Sequence, residues 1–185
     1  MKLKTLILNG SPRVNGDTVS LINRLKEELG GEFVEISAYR ADISPCTDCR
    51  FCKTRKGCAI KDEMDAVYEA IGCCDNAVIA SPIYFSEVTG RLLDVGSRLQ
   101  TLYCSRIFRG EQPDISPKRG GIILVGGGDG SPEKAASTSR TLLHQMGCVE
   151  IFPPVLSLKT EMIPAAEDKA ALEKIKALAA FLKNN

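Results

Sequence analysis

Tryptophan is absent, histidine occurs once, and aromatic residues make up only 5% of the 185-residue chain. Platforms on which nucleic-acid bases stack are therefore not expected. Charge of one sign is not in excess either: 24 basic and 23 acidic side chains leave a net charge of +1. That balance argues against nucleic acid or a membrane surface as an electrostatically recruited partner. No apolar run approaches the roughly 18 residues that a bilayer span requires. After Met1-Lys2-Leu3-Lys4 the run Leu6-Ile7-Leu8 stops at Asn9-Gly10, too early for a targeting segment. Repeats and low-complexity linkers are missing, so one domain over residues 1–185 is expected. A cytoplasmic location is the corresponding expectation, and there thiols stay reduced.

What the chain does have is cysteine. Four of its eight lie within thirteen residues: Cys46, Cys49, Cys52 and Cys58, spaced Cys-x2-Cys-x2-Cys-x5-Cys. Three thiolates at i, i+3 and i+6 can wrap one face of a cubane cluster, and a fourth six residues later can close it. In the two-cluster bacterial run the last gap is three residues, a proline follows, and the last cysteine serves the other cluster. Here the gap is five and Ala59 follows, so one self-contained [4Fe–4S] cluster is the expectation. Lys53, Arg55 and Lys56 would offset the charge of such a group. Structural zinc is an alternative, although zinc modules usually set two Cys-x2-Cys pairs further apart. A metal-free cysteine loop is another. Cys73, Cys74, Cys104 and Cys148 lack metal-ligand spacing and read as packing residues. His144 reads as structural, and Asp62, Glu63 and Asp65 as a helix start favoured by the macrodipole.

Strand and helix patterns alternate along the chain. Apolar runs at 2–9, 32–37, 77–80, 121–125 and from 149 to 152 read as strands. Helical spacing is read over 18–29, 62–71, 90–103, 133–146 and 165–182, with Leu92, Leu93, Leu99 and Leu102 of the third of these inward. The cysteine segment, about 44–60, falls in a loop. This order predicts an α/β fold with a parallel sheet and helices on both faces. Such sheets bind ligands at the carboxyl ends of their strands. The candidate ligand loops follow strands one, three and four.

The first loop runs from Gly10 to Thr18. Hydroxyls of Ser11 and Thr18, free backbone N–H groups and a helix dipole converge there and suit a phosphate, with Arg13 adding charge. A plain strand-to-helix turn, with Asp17 or Thr18 as N-cap, is the simpler reading. Neither a Walker loop nor a Gly-x-Gly-x-x-Gly fingerprint is present. The second loop, Ser81-Pro82-Ile83-Tyr84-Phe85-Ser86, offers two aromatics that could flank a planar ring or merely cap the core. The third, Gly126-Gly127-Gly128-Asp129-Gly130-Ser131, would let backbone approach a ligand closely.

Together, Asn-Gly-Ser-Pro-Arg-x-x-Gly-Asp-Thr, the cysteine loop, Ser-Pro-Ile-Tyr-Phe and the glycine loop resemble the flavodoxin-like NAD(P)H-dependent FMN reductases. The compact cysteine loop is similar to that of the iron-sulfur flavoproteins among them. The resemblance covers nearly the whole chain. It implies a flavodoxin-like three-layer sandwich with a five-stranded parallel sheet in order 2-1-3-4-5. It also implies bound FMN, with phosphate contacts from Ser11, Arg13, Asn15, Gly16, Asp17 and Thr18. Ring contacts would come from Pro82, Ile83, Tyr84, Phe85 and Ser86 and from Gly126, Gly127, Gly128 and Asp129. Further implications are NAD(P)H as co-substrate, a homodimer or homotetramer, and a small-molecule acceptor or redox protein receiving electrons. No catalytic side chain is implied. A non-enzymatic electron carrier and a zinc-stabilised phosphate-ligand domain are the competing readings. Asp17 departs from the usual Asn, and a carboxylate beside a phosphate is unfavourable unless it turns away. Leu93 and Ser97 also stand where other residues are usual.

Overall fold

The computed structural model describes residues 2–184; Met1 and Asn185, the bounds of the expected domain, lie outside the described residues. In chain order the elements are β1 (Lys4–Asn9), α1 (Asp17–Leu29), β2 (Glu32–Ser37), α2 (Phe51–Thr54), α3 (Met64–Cys73) and β3 (Asn76–Pro82). They continue with α4 (Gly90–Ser97), α5 (Gln100–Ile107), β4 (Lys118–Val125), α6 (Glu133–Gln145), β5 (Cys148–Ile151), β6 (Val155–Ser157) and α7 (Lys169–Lys183). The strands pair in parallel in the order β2-β1-β3-β4-β5, and β6 also pairs with β4.

Strand geometry sends successive side chains to opposite faces. Leu6, Leu8, Ile79, Ile122 and Leu124 pack beneath α3 to α6, with Met64, Val67, Leu92 and Leu143. Ile7, Val78, Ala80, Ile123 and Val125 pack on the other face against Leu21, Ile22 and Leu25 of α1 and Ile175 and Leu178 of α7. Burial of each such side chain contributes about 1.5–3 kcal/mol before entropy is counted. The result is three layers, with the flavodoxin-like order expected from the sequence. No helix among the described residues is long and apolar enough to cross a membrane.

Four sequence expectations are corrected. The last strand is two strands, because Pro153 and Pro154 supply no N–H to continue the ladder begun at Cys148. The helix expected over 90–103 is broken into α4 and α5. Arg98 and Leu99 donate to carbonyls only three residues back, those of Val95 and Gly96, and Tyr68 Oη donates to Arg98 O at 2.8 Å. Leu93 is more than a third exposed because it lies off the stripe formed by Leu92, Val95 and Leu99. Among the packing cysteines, Cys74, Cys104 and Cys148 are buried, but Cys73 is exposed and accepts from Lys4 Nζ at 3.3 Å. His144 bonds Cys148 O through Nδ1, a structural contact.

Asp168 caps α7: one carboxylate oxygen accepts from Ala171 N at 3.1 Å and the other from Ser157 Oγ at 2.9 Å. It thereby ties β6 to the helix that closes one face. Replacing it, Asp168→Ala, is expected to lower unfolding free energy by about 1–2 kcal/mol. Urea denaturation would measure the loss.

Candidate functional site

The carboxyl ends of β1, β3, β4 and β6 open onto one cleft of about 330 Å³. The first wall is the loop after β1. Buried Asn9 holds its start: Oδ1 accepts from Ser11 N at 2.8 Å and Nδ2 donates to Glu35 Oε1 at 2.7 Å. Burial works to raise the Glu35 pKa, but the bonds from Lys26 and Asn9 outweigh it and draw the carboxyl below its usual range. Ser11 Oγ closes a tight turn by bonding the N–H and the C=O of Arg13.

Helix α1 then begins, and Ser20 N is its first donor to reach a carbonyl, that of Gly16 at 3.0 Å. The N–H groups of Asp17, Thr18 and Val19 have no intrahelical partner and point out of the positive end of the helix. Gly16 occupies the N-cap position, so neither Asp17 nor Thr18 is the cap. The Asp17 carboxylate is committed elsewhere, since Oδ1 accepts from Ala165 N at 2.8 Å. That bond uses one lone pair where repulsion of an anion would otherwise be greatest.

The second wall is Pro82, Ile83 and Tyr84. Ile83 N donates to Val125 O at 2.7 Å, which continues the sheet into the loop. Tyr84 and Glu87 exchange two backbone bonds around Phe85 and Ser86, both left-handed with φ of 52° and 63°. Such a conformation is strained for a bulky side chain. Ser86 O accepts from Ala135 N at 3.0 Å and Glu87 from Thr138 Oγ1 at 3.0 Å, which fastens the turn to α6. Tyr84 is half exposed at the cleft, whereas Phe85 projects fully into solvent at the tip of the turn. Neither caps the core.

Of the glycine loop, Gly127 reaches the cleft, together with Thr160 and Glu161 from the segment after β6. A Cβ at Gly127 would lie 3.1 Å from Glu161 Oε1, so the carboxylate lies directly over bare backbone. Gly126 and Gly128 carry the loop by bonding Ser157 O, Thr160 N and Lys159 N. The cleft therefore unites Ser11, Arg13, Gly16, Asp17, Thr18, Pro82, Ile83, Tyr84 and Gly127 of the expected set. Asn15 faces a shallower recess beside α1, and Phe85, Ser86, Gly126, Gly128 and Asp129 do not line the cleft. Thr160 and Glu161 went unread in the sequence because no motif marks them. Only the placement of β6 against β4 brings them in.

The cysteine loop follows β2 and lies against α4 and α5. All four thiols are free; Cys46, Cys52 and Cys58 are half-buried and Cys49 is exposed. Asp48 and Arg50, left-handed with φ of 49° and 62°, flank Cys49. Among the described residues no three Cys, His, Asp or Glu side chains converge closely enough to hold a metal ion. The donor chemistry nonetheless suits a thiolate-bound group, since four uncommitted thiols share one loop. Cys104 of α5 faces Cys52, and burial together with this neighbour pushes the Cys52 thiol up to about 11. Its part in the loop was not legible from spacing. Asp62 and Glu63 do more than start α3: Asp62 accepts from Ser44 N and Met64 N and pairs with Arg98 at 2.7 Å.

Comparison with known proteins follows this geometry. The model of the family described as NADPH-dependent FMN reductase matches residues 3–162. An iron-sulfur flavoprotein of Archaeoglobus fulgidus is 28% identical over 152 residues, which are 80% of this chain and 66% of that protein. Another iron-sulfur flavoprotein, from Methanocaldococcus jannaschii, is 32% identical over 159 residues, 83% of this chain and 75% of its own. Among solved structures, the NAD(P)H:quinone oxidoreductase of Methanothermobacter marburgensis superposes with a TM-score of 0.70 at 16% identity. That likeness covers 100% of this chain and 97% of the other, and it bears on the fold.

Gly10 is where the first two walls meet. Its N–H donates to Ala80 O, its C=O accepts from Thr89 Oγ1, and Thr89 N donates to Ser81 Oγ. A Cβ at Gly10 would come within 2.9 Å of Ser81 Oγ and 3.0 Å of Leu92 Cδ2. Gly10→Ala is expected to cost about 1–3 kcal/mol through overpacking. Thermal unfolding of the ligand-free protein would register it as a lowered midpoint.

Proposed function

Because the chain belongs to the NADPH-dependent FMN reductase family, whose members are oxidoreductases, we propose that its cleft holds FMN and that NAD(P)H supplies the electrons. One observation carries this reading. The unpartnered N–H groups at the start of α1, the hydroxyl of Thr18 and the Arg13 side chain share one cleft with Tyr84 and with Gly127, over which Glu161 lies. A phosphate fits the first group, since helix N-termini and backbone donors favour anions. A planar ring fits the second, with Tyr84 on one side and glycine backbone close at its edge.

When bound, FMN would accept a hydride and release electrons to an acceptor, chemistry that belongs to the cofactor. The residues of this chain orient it. Ser11 shapes the turn that presents the phosphate loop, Asn9 fixes that turn to β1, and one oxygen of Asp17 is occupied by Ala165 N. Asn15, Gly16, Pro82, Ile83, Ser86, Gly126, Gly128 and Asp129 complete the proposed FMN set through the same three loops, and Phe85 stands at its rim. Thr160 and Glu161 extend the set.

The cysteine loop is proposed as a second redox centre, a [4Fe–4S] cluster on Cys46, Cys49, Cys52 and Cys58. Their spacing and the absence of competing disulfides support this. So does the name iron-sulfur flavoprotein carried by two relatives. A small-molecule acceptor or redox protein, a homo-oligomer and a cytoplasmic location complete the proposal. Rapid NAD(P)H oxidation by the purified protein would exclude a simple electron carrier.

Replacing Thr18 with Val removes one hydroxyl from the phosphate end. FMN is expected to dissociate about tenfold more readily, the effect of one charge-assisted hydrogen bond. Flavin fluorescence titration reads this directly, and unchanged affinity would count against the cleft. Cys49→Ser should abolish iron loading while FMN stays bound, as iron, sulfide and flavin analysis of anaerobically purified protein would show. Loss of flavin as well would make the loop part of the FMN site.

A further inference from the structure

The cysteine loop is held by one short stretch of chain, residues 97–109. At its centre is Arg98, whose side chain is fully buried at the break between α4 and α5. Nη1 donates to Ser44 O at 2.8 Å and to Asp62 Oδ2 at 2.7 Å. Nη2 donates to Ile60 O at 3.1 Å and to Asp62 Oδ1 at 3.2 Å. Ser44 lies two residues before Cys46 and Ile60 two residues after Cys58. One guanidinium therefore grips both ends of the segment that bears the four thiols.

Its neighbours act on the same segment. Ser97 Oγ accepts from Cys46 N at 2.9 Å, Thr101 Oγ1 donates to Gly57 O at 3.0 Å, and Arg109 donates to Cys52 O. Every one of these contacts addresses backbone. None uses a thiol, so the sulfur atoms take no part in the clamp.

A buried charge is a costly way to fasten a loop if stability is the only gain. Burial works against the Arg98 charge, but the bond to Asp62 and the nearness of Tyr68 and Cys58 outweigh it and hold the guanidinium firmly protonated.

We infer that Arg98 is a positioning residue for the cysteine loop: its guanidinium, held by Asp62, joins the two ends of the loop. Both ends of the loop are fixed before metal arrives, so less conformational freedom is lost on uptake. This rests on the reading of the loop as a cluster site. Lysine would keep the charge but cannot make the planar, forked contacts.

The test compares the wild-type protein with Arg98→Lys, both metal-free and anaerobic. Iodoacetamide labelling is followed cysteine by cysteine by mass spectrometry. Half-buried Cys46, Cys52 and Cys58 are expected to label about tenfold faster in the variant as the loop opens locally, while Cys49, already exposed, changes little. Exposed Cys73, outside the loop, is the internal control and should label at the wild-type rate. Reconstitution with ferrous iron and sulfide should load the variant to less than half the wild-type level, with FMN content unchanged. Loop-cysteine rates equal to wild type would overturn the inference.

If Arg98→Lys fails to fold, or Cys73 also accelerates, Ser97→Ala and Thr101→Val decide. They bury no charge and should selectively speed labelling of Cys46 and Cys58; equal rates in both again overturn it. A wild-type protein that takes up no iron sinks the cluster reading, while the labelling contrast still judges Arg98.

Discussion

A parallel sheet covered by helices on both faces can meet water and ligands only at its ends. That constraint governs this molecule. Ile7, Val78 and Ile123 are sealed on one side and Leu6, Ile79 and Leu124 on the other, so the middles of the central strands are closed to ligands. The cleft sits where β1, β3, β4 and β6 stop. The walls of the cleft are accordingly loops, fixed to one another at Gly10, Thr89 and Ser81 by contacts too close for a larger residue.

The two ends of the sheet treat buried charge differently. At the amino end, Lys118 is buried and spends its ammonium on Cys74 O and Ser116 O, with burial lowering its pKa. Its carbonyl partners are neutral and the charge is merely accommodated. On the side that carries the cysteine loop, Arg98 meets a carboxylate and two carbonyls that belong to the loop itself. The first arrangement fastens α3 to the sheet; the second arranges a surface on which thiols stand.

Much of this could be read from residue order. The period-two and period-3.6 patterns located every major element, because core burial imposes them directly. Ser11, Thr18, Tyr84 and Gly127 were legible because their motifs lie within single loops that end strands. What escaped depends on distant partners. Arg98 reads as one more helical residue until Tyr68 and the flanks of the cysteine loop divert its backbone and side chain. Thr160 and Glu161 carry no motif, and the Pro153-Pro154 interruption that creates β6 looks from sequence like the end of the sheet. Phe85 reads as a ring-facing aromatic, yet left-handed backbone at Phe85 and Ser86 turns it outward.

The bond from Ala165 N to Asp17 Oδ1 spans 148 residues. During synthesis the loop after β1 leaves the ribosome 148 residues before the amide that occupies its acidic side chain. Contacts of such high sequence separation form late, because the intervening chain must be organised first. A nascent chain would therefore display the loop with its carboxylate unoccupied until Ala165 is in place. The acidic side chain at the start of α1 thus waits for the segment after β6 before its oxygen finds a donor.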